Sequence, residues 1–131
     1  MGVSESVTLQ EEGVSAGAAR TFTARICRDA GVSAELTEVA VLLASEVVAN
    51  AVTHGHSRPR LTVTSAQFGV RVEVGDTSDA PAAPKPFDLD SESGRGLAML
   101  EMCSSSWGVR PKRQGKTVWF ELADGQPEQP Q

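Results

Sequence analysis

The sequence has no tyrosine, and aromatic residues make up only 5% of its 131 residues. Because 40% of the residues are nonetheless hydrophobic, we expect a core built mainly from valine, leucine, alanine and isoleucine. No run of about 18 apolar residues is present, which excludes a membrane-spanning helix, and residues 1–10 lack the basic and apolar regions of a signal peptide. The length predicts one domain over residues 1–122, followed by a polar tail over residues 123–131 that we expect to be disordered.

Positive charge is also scarce, with 12 lysine and arginine residues against 17 acidic ones and a net charge of −5. Binding to a nucleic-acid backbone usually requires a concentrated basic surface, and the one basic cluster, within residues 110–116, is short. The cysteines, Cys27 and Cys103, are far apart and lack the spacing of metal ligands, which favours two reduced thiols. We therefore expect a cytoplasmic protein with neither a membrane nor a nucleic acid as a direct partner.

Hydrophobic periodicity predicts the element order β-α-α-β-β-loop-α-β-β. The grouping of helices and antiparallel strands favours an α+β fold, a two-layer sandwich whose mixed, mostly antiparallel sheet is covered on one face by helices. The loop is long for a compact domain, and such loops are often functional. The predicted elements are a strand at 6–10, helices at 16–30 and 33–54, strands at 60–66 and 70–74, a loop at 77–93, a helix at 97–103, and strands at 104–109 and 116–122.

The second predicted helix carries polar side chains on an apolar face. On a helical wheel, Val39, Leu42, Leu43 and Asn50 lie within about 60 degrees of Glu46. We therefore expect Glu46 and Asn50 in the middle of a buried face, where an unpaired charge costs several kcal/mol. In one explanation, Glu46 pairs with a buried cation or Asn50 caps a strand end; in the other, both side chains converge on a polar ligand. The long loop and the glycine pair that follow it favour the ligand.

Two further segments have the composition of a phosphate or nucleotide site. The run Gly94-Arg95-Gly96-Leu97 joins the long loop to a predicted helix, where glycine lets backbone N–H groups approach an anion. The same run also fits an ordinary flexible junction. Asp76 follows a predicted strand, and aspartate is a common turn former at such a position. Each segment is ambiguous when it is taken alone.

Together these residues resemble the GHKL ATPase superfamily. The run Glu46–Gly55 is similar to its N box, E-x-x-x-N-A, and residues 6–122 look most like the stand-alone anti-sigma-factor serine/threonine kinases. The resemblance implies that Asn50 binds Mg²⁺ at the ATP phosphates and that Glu46 orients or deprotonates the attacking hydroxyl. It also implies adenine contacts by Asp76 and Thr117, and closure over the phosphates by Gly94, Arg95, Gly96 and Leu97.

The implied function is phosphorylation of a serine or threonine on an anti-anti-sigma (STAS-type) protein, by a chain that also sequesters a sigma factor, as a homodimer. One motif departs from the family, because the D-x-G-x-G box reads Asp76-Thr77-Ser78-Asp79-Ala80 and lacks both glycines. This departure keeps open a non-catalytic binding module that sequesters a protein partner. A histidine-kinase catalytic domain is less favoured, since the sequence lacks a preceding helical segment with an acceptor histidine.

Overall fold

The computed structural model describes residues 3–9, 15–55, 58–66, 69–75, 99–113 and 115–123. The predicted loop over residues 77–93 and the glycine pair lie outside these ranges, as does the tail after Ala123. The two long helices and the strand order along the chain are as predicted. The elements are β1 (Val3–Thr8), α1 (Ser15–Asp29), α2 (Ala34–Gly55), β2 (Arg60–Ala66), β3 (Gly69–Gly75), β4 (Ser106–Pro111) and β5 (Lys116–Ala123), and residues 99–103 are also helical.

The strands form one five-stranded sheet in the order β1-β2-β3-β5-β4. Every pairing between the described strands is antiparallel, so the α+β prediction is confirmed and the sheet is more uniform than the mixed one expected. Two strands, β1 and β4, are displaced along the sequence from their predicted positions. β1 begins at Val3, and β4 is displaced toward the C-terminus, where it ends at Pro111.

The two faces of the sheet differ in composition because side chains alternate along each strand. One face is apolar and packs against the helices in a single core; its buried members are Leu61, Val63, Val70, Val72, Val74, Val118, Phe120 and Leu122, which are 0 to 6% exposed. The opposite face, which we call the open face, carries polar and charged side chains. The core is therefore mainly aliphatic, as expected, with Phe120 as its largest fully buried side chain.

Local signals at the helix ends explain where the helices begin and end. Gly31 adopts a φ of 80°, which favours glycine, and the Val32 N–H donates to the Cys27 carbonyl at 3.0 Å, so α1 ends there. The Ser33 hydroxyl accepts a hydrogen bond from the Leu36 N–H at 3.2 Å and caps the start of α2. No helix in the described ranges has an 18-residue stretch apolar enough to cross a membrane.

Candidate functional site

Glu46 and Asn50 lie one turn apart on α2, and both are half-buried. The side of α2 that faces the core is a different one: Thr37, Ala40, Leu43, Ala44, Val47 and Val48 are at most 8% exposed. The prediction that Glu46 and Asn50 occupy the middle of the buried face is therefore wrong. The members of the buried face include the small residues Ala40 and Ala44, and small side chains permit close packing of neighbouring elements.

The face around Glu46 and Asn50 is consequently a partly open surface with both polar and apolar members. Leu42 is 45% exposed there, and Val39 is half-buried. Within the described part of the chain Glu46 takes part in no ion pair. The pairing with a buried cation, which was the alternative to a ligand, is thus absent from the described residues. This arrangement can accept a ligand that covers the apolar side chains and contacts the polar ones.

Asn50 is better suited to bind a magnesium ion that arrives with a phosphate ligand than to form part of a preformed metal site. The described residues contain no group of three or more histidine, cysteine, aspartate or glutamate side chains that could hold a metal. Mg²⁺ commonly keeps several waters and uses one or two protein oxygens together with substrate phosphates. The side-chain oxygen of Asn50 is a ligand of the required type at a half-buried, accessible position.

The end of the sheet where the adenine contacts are predicted is only partly described. β3 ends at Gly75, which pairs with Arg60 on β2 and with Thr117 on β5. The next residue, Asp76, lies outside the described residues. The same is true of Gly94, Arg95, Gly96 and Leu97, so the roles assigned to these five residues stay predictions.

Thr117 lies on the open face, away from the helices. It is 7% exposed, and a Cβ placed on its strand neighbour Gly75 would lie 3.8 Å from its hydroxyl oxygen. The sheet therefore lies between this hydroxyl and α2. The contact of Thr117 with adenine stays a prediction. If adenine lies against α2, the position of Thr117 on the open face does not favour this contact.

Lys116, which the sequence analysis did not name as a site residue, is the first residue of β5. Strand alternation places Lys116 on the helix-covered face together with Val118, and its side chain is half-buried. It is thus the first residue of β5 whose side chain points to the same side of the sheet as α2. The alternating pattern of Lys116 to Leu122 was the signal that could have identified it.

The groups outside the predicted site that have a perturbed pKa include Cys27 and Arg71. Burial raises the pKa of the Cys27 thiol, although the nearby Thr37 hydroxyl acts in the opposite direction. Burial lowers the pKa of Arg71, but hydrogen bonds to Glu121 at 2.7 Å and to Glu73 at 3.1 Å outweigh it and raise that pKa overall. Arg71 therefore ties β3 to β5 across the open face and is a structural side chain.

Comparison with known proteins identifies the family. The model of the histidine kinase-like ATPase domain matches residues 9–122, which includes both long helices and β2 to β5. An uncharacterized protein of Streptomyces coelicolor is 35% identical over 88 residues, which are 63% of this chain and 83% of that protein. A domain of this kind implies a binding site for ATP. The antiparallel sheet, the helices on one face and the family match together show that the chain belongs to the histidine kinase-like ATPase domain family, of GHKL type.

Proposed function

We propose that this chain is an ATP-dependent serine/threonine kinase that acts as an anti-sigma factor and phosphorylates an anti-anti-sigma protein. One observation supports the proposal most directly. Glu46 and Asn50 lie one turn apart on a partly open face of α2, in a chain that belongs to a kinase-like ATPase family. A carboxylate and a carboxamide at this spacing supply the proton acceptor and the metal ligand that phosphoryl transfer requires.

Different residues of the chain would bind the metal ion, the adenine and the terminal phosphate of Mg-ATP. Asn50 would hold Mg²⁺ through its side-chain oxygen, and Asp76 would accept a hydrogen bond from the adenine amino group. The backbone of the Gly94–Leu97 segment would surround the terminal phosphate. Bound Mg-ATP would supply the phosphoryl group that is transferred.

Glu46 would act on the acceptor. Side chains four residues apart on a helix have Cβ atoms about 5–6 Å apart, so Glu46 can reach a hydroxyl placed next to the phosphate end that Asn50 orients. Its carboxylate would orient that hydroxyl and take its proton. The buried side of α2, with Ala40 and Ala44 packed in the core, would keep the two polar side chains at a fixed separation.

The second candidate function is a module that sequesters a protein partner without phosphoryl transfer. The segment Asp76-Thr77-Ser78-Asp79-Ala80, which lacks glycine, supports it, because backbone approach to a nucleotide is hindered where a Cβ is present. A chain of this kind would still bind a sigma factor through its surface. Nucleotide would then have no effect on that binding.

The first test is calorimetric titration with ATP, with and without Mg²⁺. Asn50→Ala should lose the Mg²⁺-dependent part of the affinity, while the control Glu38→Gln, an exposed position on the same helix, should bind like the natural chain. No binding at millimolar ATP would rule out the kinase and favour the sequestering module.

The second test separates binding from chemistry. With a STAS-type acceptor protein and labelled ATP, Glu46→Gln should bind nucleotide normally and transfer phosphate about 10²- to 10⁴-fold more slowly, the usual contribution of a general base. Glu38→Gln is again the matched control, since it removes one carboxylate from α2. An unchanged transfer rate in Glu46→Gln would exclude the role given to this carboxylate.

A further inference from the structure

A row of residues with positively charged side chains crosses the open face of the sheet, at the end where β3 stops. The strand register places one row of residues across all five strands there: Thr8, Arg60, Gly75, Thr117 and Arg110. Two positions lie in the middle of this row. Gly75 has no side chain, and Thr117 has a small one. The outer positions on either side of them, Arg60 and Arg110, are exposed arginines.

Lys112, in the β4–β5 turn, adds a third positive charge to this row. Its backbone N–H donates to the Gly115 carbonyl at 3.1 Å, and Gly115 has the positive φ of 81° that favours glycine. Its side chain crosses Gly75, because a Cβ placed on that glycine would lie 3.2 Å from Lys112 Nζ. The Lys112 ammonium and the Thr117 hydroxyl thus lie above the same glycine.

The spacing lets the cations converge. Arg60 on β2 and Arg110 on β4 are three strand spacings apart, or about 14 Å between Cα atoms, and each long side chain can reach toward the middle of that distance. A side chain at Gly75 would approach the Lys112 ammonium and crowd the space between the two arginines. We call the group of Arg60, Gly75, Thr117, Arg110 and Lys112 the basic cradle.

The charges of the basic cradle are largely uncompensated within the described residues. Neither Arg60 nor Lys112 takes part in an ion pair there. Arg110 makes one long contact, 3.9 Å from Glu73, and Glu73 is engaged more closely by Arg71 at 3.1 Å. Counted over the described residues alone, three cations and one shared carboxylate leave a formal excess of two positive charges.

We propose that the basic cradle binds a phosphoryl dianion at a site separate from the ATP site beside α2. A phosphoryl group carries about −1.5 to −2 charges at neutral pH, which matches the excess, whereas a carboxylate would neutralise only half of it. Guanidinium groups suit phosphate oxygens well, and the Thr117 hydroxyl can donate to another oxygen. The net charge of −5 argues against a nucleic-acid backbone as the source. Phosphate binding by the basic cradle does not depend on the proposed kinase activity.

The test is titration of the full chain with inorganic phosphate and with a phosphoserine peptide, followed by the amide NMR signals of Gly75 and Thr117. Lys112→Gln and Arg60→Gln should each weaken phosphate binding about three- to tenfold, and added salt should weaken it further. Arg28→Gln, which removes an exposed cation from α1, is the matched control and should leave binding unchanged. Mg-ATP affinity should be the same in all these variants.

The two probes identify the source of the phosphoryl group. Tighter binding of the phosphoserine peptide than of free phosphate would indicate a phosphorylated protein, and equal binding would indicate a small phosphate ligand; both support the basic cradle. Signals that do not move at millimolar phosphate would overturn it, and so would equal losses in Lys112→Gln and Arg28→Gln. If Lys112→Gln weakens Mg-ATP and phosphate equally, the basic cradle belongs to the nucleotide site and the separate site is rejected.

Discussion

Gly108 on the edge strand β4 is the position where a single added methyl group should have the clearest effect on stability. A Cβ placed on Gly108 would lie 2.9 to 3.0 Å from three atoms of the Trp119 ring. The ring cannot simply move away, because the Arg71 guanidinium covers it at 4.5 Å and is itself held by Glu73 and Glu121. Gly108→Ala must therefore displace the ring and the arginine together.

The expected size follows from two opposing effects. Overpacking typically costs about 1–3 kcal/mol, whereas replacing a strand glycine by alanine gains roughly 0.5–1 kcal/mol from reduced freedom of the unfolded chain. The net expectation is that Gly108→Ala lowers the free energy of unfolding by about 0–2.5 kcal/mol. Urea denaturation with an unchanged slope measures this difference.

Two comparisons isolate the cause. In a Trp119→Leu background the clash is gone, so Gly108→Ala should become neutral or stabilising. Gly17→Ala on α1, where the new Cβ would meet only the end of the Arg20 side chain at 3.6 Å, should stabilise the protein by about 0.5–1 kcal/mol. A cost of Gly108→Ala that is as large in the Trp119→Leu background as in the natural chain would refute the clash as the cause.

Two further predictions concern buried polar groups. The Thr23 hydroxyl is fully buried and has no hydrogen-bond partner among the described residues. Thr23→Val should therefore raise the free energy of unfolding by about 1 kcal/mol in urea denaturation. The control Thr21→Val, at an exposed site, should change the free energy of unfolding by less than about 0.5 kcal/mol. Because burial raises the folded-state pKa of Cys27, stability should fall as the pH rises above about 8.5. Denaturation at pH 8 to 10 should show this fall in the natural chain and in Cys103→Ala but not in Cys27→Ala, and the absence of tyrosine removes one competing titration from that window.

Local signals made much of the fold predictable. The turn residue Gly31 and the cap residue Ser33 fix the boundary between the two helices, and α2 was expected over residues 33–54 and is found at Ala34–Gly55. Strand β2 was predicted over the same residues that it occupies, because its alternation of apolar and polar residues is regular. Such signals depend on neighbours in sequence and so need no knowledge of tertiary contacts.

Features set by distant contacts were not predictable in the same way. β1 begins at Val3 because the Ser4 and Ser6 hydroxyls hydrogen-bond to Thr64 and Thr62 at 2.9 and 2.7 Å, and a serine-rich stretch gives no apolar signal for this pairing. The prediction of which side of α2 is buried is also wrong, because the helical wheel assigns large apolar residues such as Leu42 to the core. The buried side instead includes the small residues Ala40 and Ala44, which are 0% exposed.

Two adjacent residues, Lys116 and Thr117, can show on which side of the sheet the predicted adenine contact lies. Lys116 and Thr117 point to opposite faces, so a shift of one residue in the alignment with the family exchanges their roles. The Thr117 hydroxyl cannot serve both an adenine beside α2 and the basic cradle on the open face. Thr117→Val, which keeps the side-chain shape, therefore distinguishes the assignments. We expect it to weaken phosphate binding and to leave Mg-ATP affinity unchanged. The opposite result would restore the adenine contact and remove Thr117 from the basic cradle.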